Sequence, residues 1–125
     1  MVTFNAAALS DPNSFICKVN SYPLIQTSFP GLLDCGSSDC FIDPKFAFKH
    51  KLQVRSIPPM QLKLLDGSRG ASITQAIDLP IKFPCGMVTP ITFLVAPLDS
   101  TCVVVFGLNW LTRYNPMVDW ELRSI

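Results

Sequence analysis

One carboxylate in this chain stands where proteins often hold a reactive acid, at the tip of a tight turn between two apolar segments. The apolar pair Leu32-Leu33 runs into Asp34, the turn 35–38 reads Cys-Gly-Ser-Ser, and the apolar pair Phe41-Ile42 follows. A carboxylate held in this way can accept a proton from water or donate one to a substrate. The chain of 125 residues shows one such turn. The sequence therefore predicts half of a two-carboxylate site, which a second copy of the chain would complete.

Strand signals dominate on both sides of this turn. Residues 14–20 form an apolar and polar alternation bounded by turn residues, and residues 24–34 form a second extended stretch with an expected break near Pro30-Gly31. Residues 61–65 run into Asp66-Gly67, a strong hairpin signal. The segment 102–106 is continuously apolar, as is typical of a strand buried on both faces. These elements would surround the turn with a small sheet.

Period-two alternation extends through the second half of the chain. Apolar residues repeat on one face, with Thr74, Asp78 and Lys82 on the other. The apolar set is Ile73, Ile77, Leu79, Ile81 and Phe83, and it is repeated by Ile91, Phe93 and Val95.

Two short helices are predicted near the turn. Asp43-Pro44 combines an N-cap with a proline at the first helical position and opens a helix over 45–50. Asn109 is expected to cap a second helix over 110–114, which Asn115-Pro116 would end. The expected class is a mostly β domain with one or two short helices.

Composition excludes several classes of protein. Hydrophobic residues make up 49% and charged residues 15% of the chain, which excludes disorder. A net charge of +1 without a basic run gives no sign of nucleic-acid binding, and no apolar run is long enough to suggest a membrane span. The odd number of cysteines, 5, without a Cys-x-x-Cys pair favours a reduced intracellular setting and predicts no metal site. Cys17 and Cys102 are expected to be buried.

Taken in order, these motifs resemble a known family. The series is the Asp34 turn, the Leu65-Asp66-Gly67-Ser68 hairpin, the apolar run 103–107 into Asn109-Trp110-Leu111, and Asn115–Trp120. It is similar to the retropepsin of a Gypsy-class LTR retrotransposon polyprotein, or a domesticated relative. The resemblance implies an all-β, closed barrel or sandwich equivalent to one pepsin-like lobe. It would span residues 14–125, with residues 1–13 as an N-terminal extension.

The resemblance also implies an activity and its residues. Asp34 and its symmetry mate in a homodimer would activate one water for peptide-bond hydrolysis, with no cofactor, metal or covalent intermediate. The run 103–107 would lie beneath the Asp34 loop, and Trp110 and Trp120 would anchor the core. The loop would be supported by Cys35, Gly36, Ser37 and Ser38, and an extended peptide would be covered by a flap whose tip contains Leu65, Asp66, Gly67, Ser68 and Arg69.

Two loop residues depart from the usual pattern of that family. Cys35 stands where Ser or Thr usually bonds across the dimer axis, so a weaker dimer is expected. Ser37 stands where Ala is common, and its hydroxyl would favour the ionised form of the neighbouring carboxylate and move the activity optimum towards acid.

Three functions stay open at this point. The first is an active homodimeric protease that processes a retroelement polyprotein in the cytoplasm, within virus-like particles in one version. The second is a module of the same fold that binds peptide or dimerises with little or no activity, and Cys35 is its best argument. The third is an unrelated β-rich binding domain.

Overall fold

The computed structural model describes residues 2–4, 15–21, 24–64, 69–98 and 101–114. In these ranges the chain is mostly strand with two short helices, so the all-β prediction is confirmed. The strands are β1 (Val2–Phe4), β2 (Phe15–Ser21), β3 (Ile25–Leu33), β4 (Phe41–Ile42), β5 (Arg55–Leu64), β6 (Arg69–Lys82), β7 (Val88–Val95) and β8 (Val104–Phe106); the helices are α1 (Pro44–Lys49) and α2 (Leu108–Tyr114).

Within the described residues, six strands close into a ring. The hydrogen-bonded order is β6–β2–β3–β8–β4–β7, and β7 pairs again with β6. β5 and then β1 continue outwards from β6. The ring matches the expected closed barrel, and closure removes the exposed strand edges that an open sheet would leave.

The predicted alternation places the core inside this barrel. The apolar face of β6 and the segment after it is almost fully buried, from Ile73 to Phe83. β8 is buried at all three positions, as its continuous apolar run predicts. Trp110 packs on Phe83 with ring centroids 4.9 Å apart, and its Nε1 donates to Thr89 Oγ1 at 3.2 Å. Trp110 is therefore a core anchor, whereas Trp120 lies outside the described residues.

The expected break in the second extended stretch is wrong. β3 runs through Pro30 and Gly31 without interruption, and Pro30 faces Lys18 in the β2–β3 register. Pro30 has no N–H to donate, but its carbonyl accepts from Val103 N at 3.1 Å. A Cβ on Gly31 would lie 2.5 Å from Phe106 Cε2, so glycine here allows β3 and β8 to pack closely rather than ending the strand.

The helices form near their predicted positions. Asp43 caps α1 by accepting from Lys45 N at 2.9 Å, and Pro44 occupies the first turn. α2 begins at Leu108, earlier than predicted, so Asn109 lies inside the helix. Its side chain still accepts from Trp110 N at 2.7 Å. Neither helix of the described residues is long and apolar enough to cross a membrane.

Residues 2–4 form a strand of the sheet. Val2 and Phe4 are 2% and 4% exposed, and β1 pairs in parallel with β5. Their alternating burial explains the strand, because both apolar side chains turn to one face. The remaining residues assigned to the N-terminal extension lie outside the described ranges.

An ion pair on the barrel surface connects three strands. Arg55 Nε on β5 donates to Asp78 Oδ2 on β6 at 2.8 Å, and Thr92 Oγ1 on β7 donates to Asp78 Oδ1 at 2.6 Å. These two hydrogen bonds, Arg55 first, hold the pKa of the Asp78 carboxyl below its usual value.

Asp78→Asn is expected to lower the free energy of unfolding slightly at neutral pH, because both members of the pair are more than half exposed. The folded-state pKa lies below the unfolded one, so this stabilisation is present above about pH 3.9 and is lost as the pH falls through the folded value. Urea midpoints of both proteins at neutral pH and at about pH 2 check this. A difference that persists in acid would contradict it.

Candidate active site

The turn at Asp34 follows directly from the end of β3. Asp34 N donates to Phe106 O at 3.0 Å, which continues the parallel pairing of β3 with β8. On the other side of the turn, Leu108 N at the start of α2 donates to Ser37 O at 2.7 Å, and Asn109 N donates to Ser38 O at 3.1 Å. β8 and α2 therefore hold the turn from below, as expected for the run 103–107.

The Asp34 carboxylate is held by donors of its own turn. Oδ1 accepts from Gly36 N at 2.9 Å, and Oδ2 accepts from the Ser37 hydroxyl at 3.1 Å. Asp34 is 8% exposed and Ser37 is fully buried. Hydrogen bonds to both oxygens of a carboxylate fix its orientation. The turn itself thus orients the carboxylate, through a donor to each of its oxygens.

The predicted support residues divide into two groups. Gly36 and Ser37 bind the carboxylate, whereas Ser38 points away from it and donates to Asp39 Oδ2 at 2.7 Å. Cys35 is exposed at the tip of the turn. In the described single chain, Cys35 is therefore available to a partner surface.

A network behind the turn was only partly visible in the sequence. Asp39 accepts from Asn109 Nδ2 at 3.3 Å and from Ser38 Oγ at 2.7 Å. Cys40 Sγ lies 3.5 Å from Asn109 Oδ1 and donates to it. The contact between residues 69 positions apart in the chain joins the loop to α2, and no local pattern predicts it.

Three of the described cysteines are buried, namely Cys17, Cys40 and Cys102. Burial is the largest cause that raises the pKa of Cys40 to about 12 and that of Cys17 to about 11. Both stay protonated at neutral pH, and a thiol reacts as its thiolate. Cys17 and Cys102 are buried as predicted. Solvent reaches Cys35 and Cys85 instead.

The predicted flap corresponds to the β5–β6 hairpin. β5 and β6 pair antiparallel from Arg55↔Ala76 to Lys63↔Arg69. Arg69 begins β6, and the rest of the predicted tip, Leu65, Asp66, Gly67 and Ser68, lies outside the described residues.

Two other features of the described residues do not extend this site. They contain no cluster of three or more His, Cys, Asp or Glu side chains that could hold a metal ion. An apolar groove of about 820 Å³ lies beside α1, lined by residues such as Phe48, Leu52 and Val54. None of its lining residues belongs to the turn 34–39.

Comparison with known proteins identifies both the family and the fold. A protein-family model of the PEG10/RTL1 protease domain matches residues 30–125, which include the Asp34 turn, the β5–β6 hairpin and α2. Among curated proteins, no sequence matches the chain.

Several solved structures are similar in fold. The retroviral protease-like domain of Ddi1 from Leishmania major superimposes with a TM-score of 0.58 at 19% identity, covering 86% of this chain and 80% of its own. EIAV protease in complex with the inhibitor HBY-793 superimposes with a TM-score of 0.57 at 18% identity, covering 89% of this chain and 95% of its own. Lpg0085 from Legionella pneumophila, a protein of unknown function, superimposes with a TM-score of 0.53 at 12% identity, covering 84% of this chain and 89% of its own. The fold is that of a retroviral protease.

Proposed function

Because the chain belongs to the PEG10/RTL1 protease domain family, we propose that it is an aspartic endopeptidase that acts as a homodimer with one catalytic Asp34 per chain. The geometry at Asp34 gives this proposal its main support. The carboxylate sits at the end of a barrel strand with a donor on each oxygen, from Gly36 and Ser37. β8 and α2 bind the backbone on both sides of the turn, which holds the carboxylate in place.

The proposed reaction uses two Asp34 carboxyls that face one water molecule. Two carboxylates this close cannot both stay ionised, so they share a proton. The ionised one takes a proton from the water, whose oxygen attacks the scissile carbonyl carbon, while the protonated one donates to the carbonyl oxygen. The carboxyl that took the water proton then gives it to the amide nitrogen as the C–N bond breaks, and the other carboxylate takes a proton from a hydroxyl of the intermediate, so the amine and the carboxylic acid leave and the dyad is restored. The dyad titrates as a pair.

The β5–β6 hairpin would cover the bound peptide and exclude water from this reaction. Its tip, from Leu65 to Arg69, would contact an extended substrate through backbone hydrogen bonds. The proposed substrate is a retroelement polyprotein, cut in the cytoplasm or within a particle that it forms. Neither nucleic acid nor membrane has a part in the proposal.

Cleavage of a peptide library tests the activity. We expect hydrolysis that is faster in mild acid than at neutral pH and that a statine-type inhibitor blocks. Absence of cleavage at every pH in a sample that is shown to be dimeric would reject the proteolytic function.

A second candidate keeps the fold but has lost most of the catalysis, leaving a module that binds peptide or dimerises. The observation that favours it is Cys35, the exposed residue at the tip of the turn. A thiol is a weak donor, so two turns that meet at Cys35 would hold each other poorly. A weak dimer would leave each Asp34 without its mate at low protein concentration.

Cys35→Ser is therefore expected to tighten the dimer. Each hydroxyl that replaces a thiol adds a hydrogen bond of about 0.5–1.5 kcal/mol, and symmetry supplies two of them. The dimer dissociation constant should fall about tenfold, as measured by sedimentation equilibrium.

Cys85→Ser is the matched control, because Cys85 is also exposed but lies at the turn between β6 and β7. It should leave the dissociation constant unchanged. An unchanged or weaker dimer in Cys35→Ser would show that the residue does not lie at the dimer axis.

A further inference from the structure

The strand β1 lies in an unexpected place for a segment outside the family match. The matched residues begin at position 30, whereas β1 comprises Val2–Phe4. It adds to the outer edge of β5, the first strand of the flap hairpin, with Val2 opposite Leu62 and Phe4 opposite Leu64. A short segment from outside the matched region therefore lies along the flap.

The same strand binds the active-site turn through its backbone. Thr3 N donates to Ser38 Oγ at 2.9 Å, and Ser38 N donates to Thr3 O at 3.0 Å. Ser38 is four positions after Asp34 in the same turn. β1 is thus bonded on one side to the flap and on the other to the turn that carries the carboxylate. An extended peptide that binds by strand addition is held in this way.

The side chains of β1 fill apolar space next to Asp34. Val2 and Phe4 both belong to a buried cluster with Leu32 and Val105, which face each other across β3 and β8. Phe4 also packs on Phe41, with ring centroids 5.1 Å apart. Leu32 and Phe41 flank the catalytic turn in sequence. The apolar side chains of β1 therefore enter one buried cluster beside the turn, because residues two apart in a strand share a face.

We propose that β1 occupies the substrate cleft of its own chain, and that the cleft prefers extended peptides with apolar side chains at two positions separated by one residue. The inference rests on the proposed function and names its substrate class. Val2-Thr3-Phe4 is the pattern that the cleft holds in this structure, with a β-branched residue at one position and an aromatic residue at the other. A substrate must displace β1, so the apparent affinity falls with the fraction of chains whose cleft is open.

Removal of residues 1–5 tests the proposal. The shortened chain should show a KM about tenfold lower than that of the full chain towards a peptide of the pattern apolar–polar–apolar, if β1 fills about nine clefts in ten. The peptide Met-Val-Thr-Phe-Asn, added to the shortened chain, should inhibit competitively and bind in calorimetry. A peptide with aspartate at both apolar positions should do neither.

A point variant of the full chain provides a second test in case the shortened chain does not fold. Phe4→Asp in the full chain should also lower KM, because a charged side chain is costly to bury among Leu32, Phe41 and Val105. The matched control is Val88→Asp at the start of β7, where the side chain is 56% exposed, the residue pairs with Lys82, and KM should not change. Thermal unfolding of both variants shows whether each is folded.

The outcomes separate this inference from the proposed function. An unchanged KM in the shortened chain and in Phe4→Asp, together with no binding of the free peptide, overturns the inference while the protease activity stands. Loss of all cleavage in every form rejects the activity, and calorimetry with the peptide then still decides the inference. Binding of the aspartate-containing peptide as tightly as the native one would also overturn it.

Discussion

Asp34→Asn is expected to lower kcat/KM for peptide cleavage at least about 10³-fold, because it removes both the base and the acid of the proposed dyad. Asparagine has the same shape and still accepts a hydrogen bond through its Oδ1. The bond from Gly36 N can therefore persist, and the turn should keep its conformation. Initial rates on a cleaved library peptide, together with thermal unfolding, measure both effects.

The matched control for this change is Asp78→Asn, which makes the same replacement on the barrel surface. The hydrogen-bond partners of Asp78 are Arg55 on β5 and Thr92 on β7, both on the barrel surface. The Asp78→Asn variant should retain nearly full peptide-cleaving activity. If Asp34→Asn keeps more than about a tenth of the wild-type rate, general acid–base catalysis by this residue is excluded.

Gly107→Ala is expected to destabilise the fold by about 3 kcal/mol or more, the second large effect that the structure implies. A Cβ at this position would overlap the Asp39 carbonyl oxygen and lie 2.6 Å from the Asp39 carbonyl carbon. Both atoms belong to the backbone, so no side-chain rotation relieves the contact. Gly107 also precedes Leu108, whose N–H supports Ser37. Loss of stability and of activity should therefore occur together.

Urea unfolding of Gly107→Ala measures this effect against Gly70→Ala. At Gly70 the nearest atom to an added Cβ is Leu62 Cδ2, 3.2 Å away at the end of a flexible side chain. A slight shift of Leu62 accommodates it, so a small change is expected. Equal unfolding midpoints for Gly107→Ala and the wild type would show that β8 and the turn do not pack as closely as described.

The sequence predicted those parts of the fold that depend on residues close together in the chain. The period-two alternation of β6 predicted which face is buried, and Asp43-Pro44 predicted the start of α1. β5 begins at Arg55 rather than at the predicted Gln61, and it contains Pro58 and Pro59. The structure accommodates them inside the strand, where the register with β6 shifts between Ser56 and Met60. A proline has no N–H to donate to the neighbouring strand. The extra residue of a bulge is left unpaired, so no hydrogen bond from the proline is needed there.

The candidate site likewise combines features that the sequence predicts with features that it does not. The Asp34 turn and its Ser37 hydroxyl could be predicted because the bonds that Gly36 N and Ser37 Oγ donate to the carboxylate lie within four residues. The position of β1 could not be predicted, because Thr3 and Ser38 are 35 positions apart. The bond of Asn109 to Asp39 likewise depends on how α2 packs against the barrel. Side chains that meet only through the closed sheet leave no local pattern in the sequence.

The distance between the two Asp34 carboxylates in a crystal structure with a bound statine-type inhibitor tests the central claim most directly. The account predicts a two-fold dimer in which an oxygen of each carboxylate lies within about 3 Å of the inhibitor hydroxyl. It also predicts that the inhibitor displaces β1 from its place between β5 and Ser38. A dimer whose Asp34 side chains lie apart, with the inhibitor bound elsewhere, would contradict a shared aspartic active site.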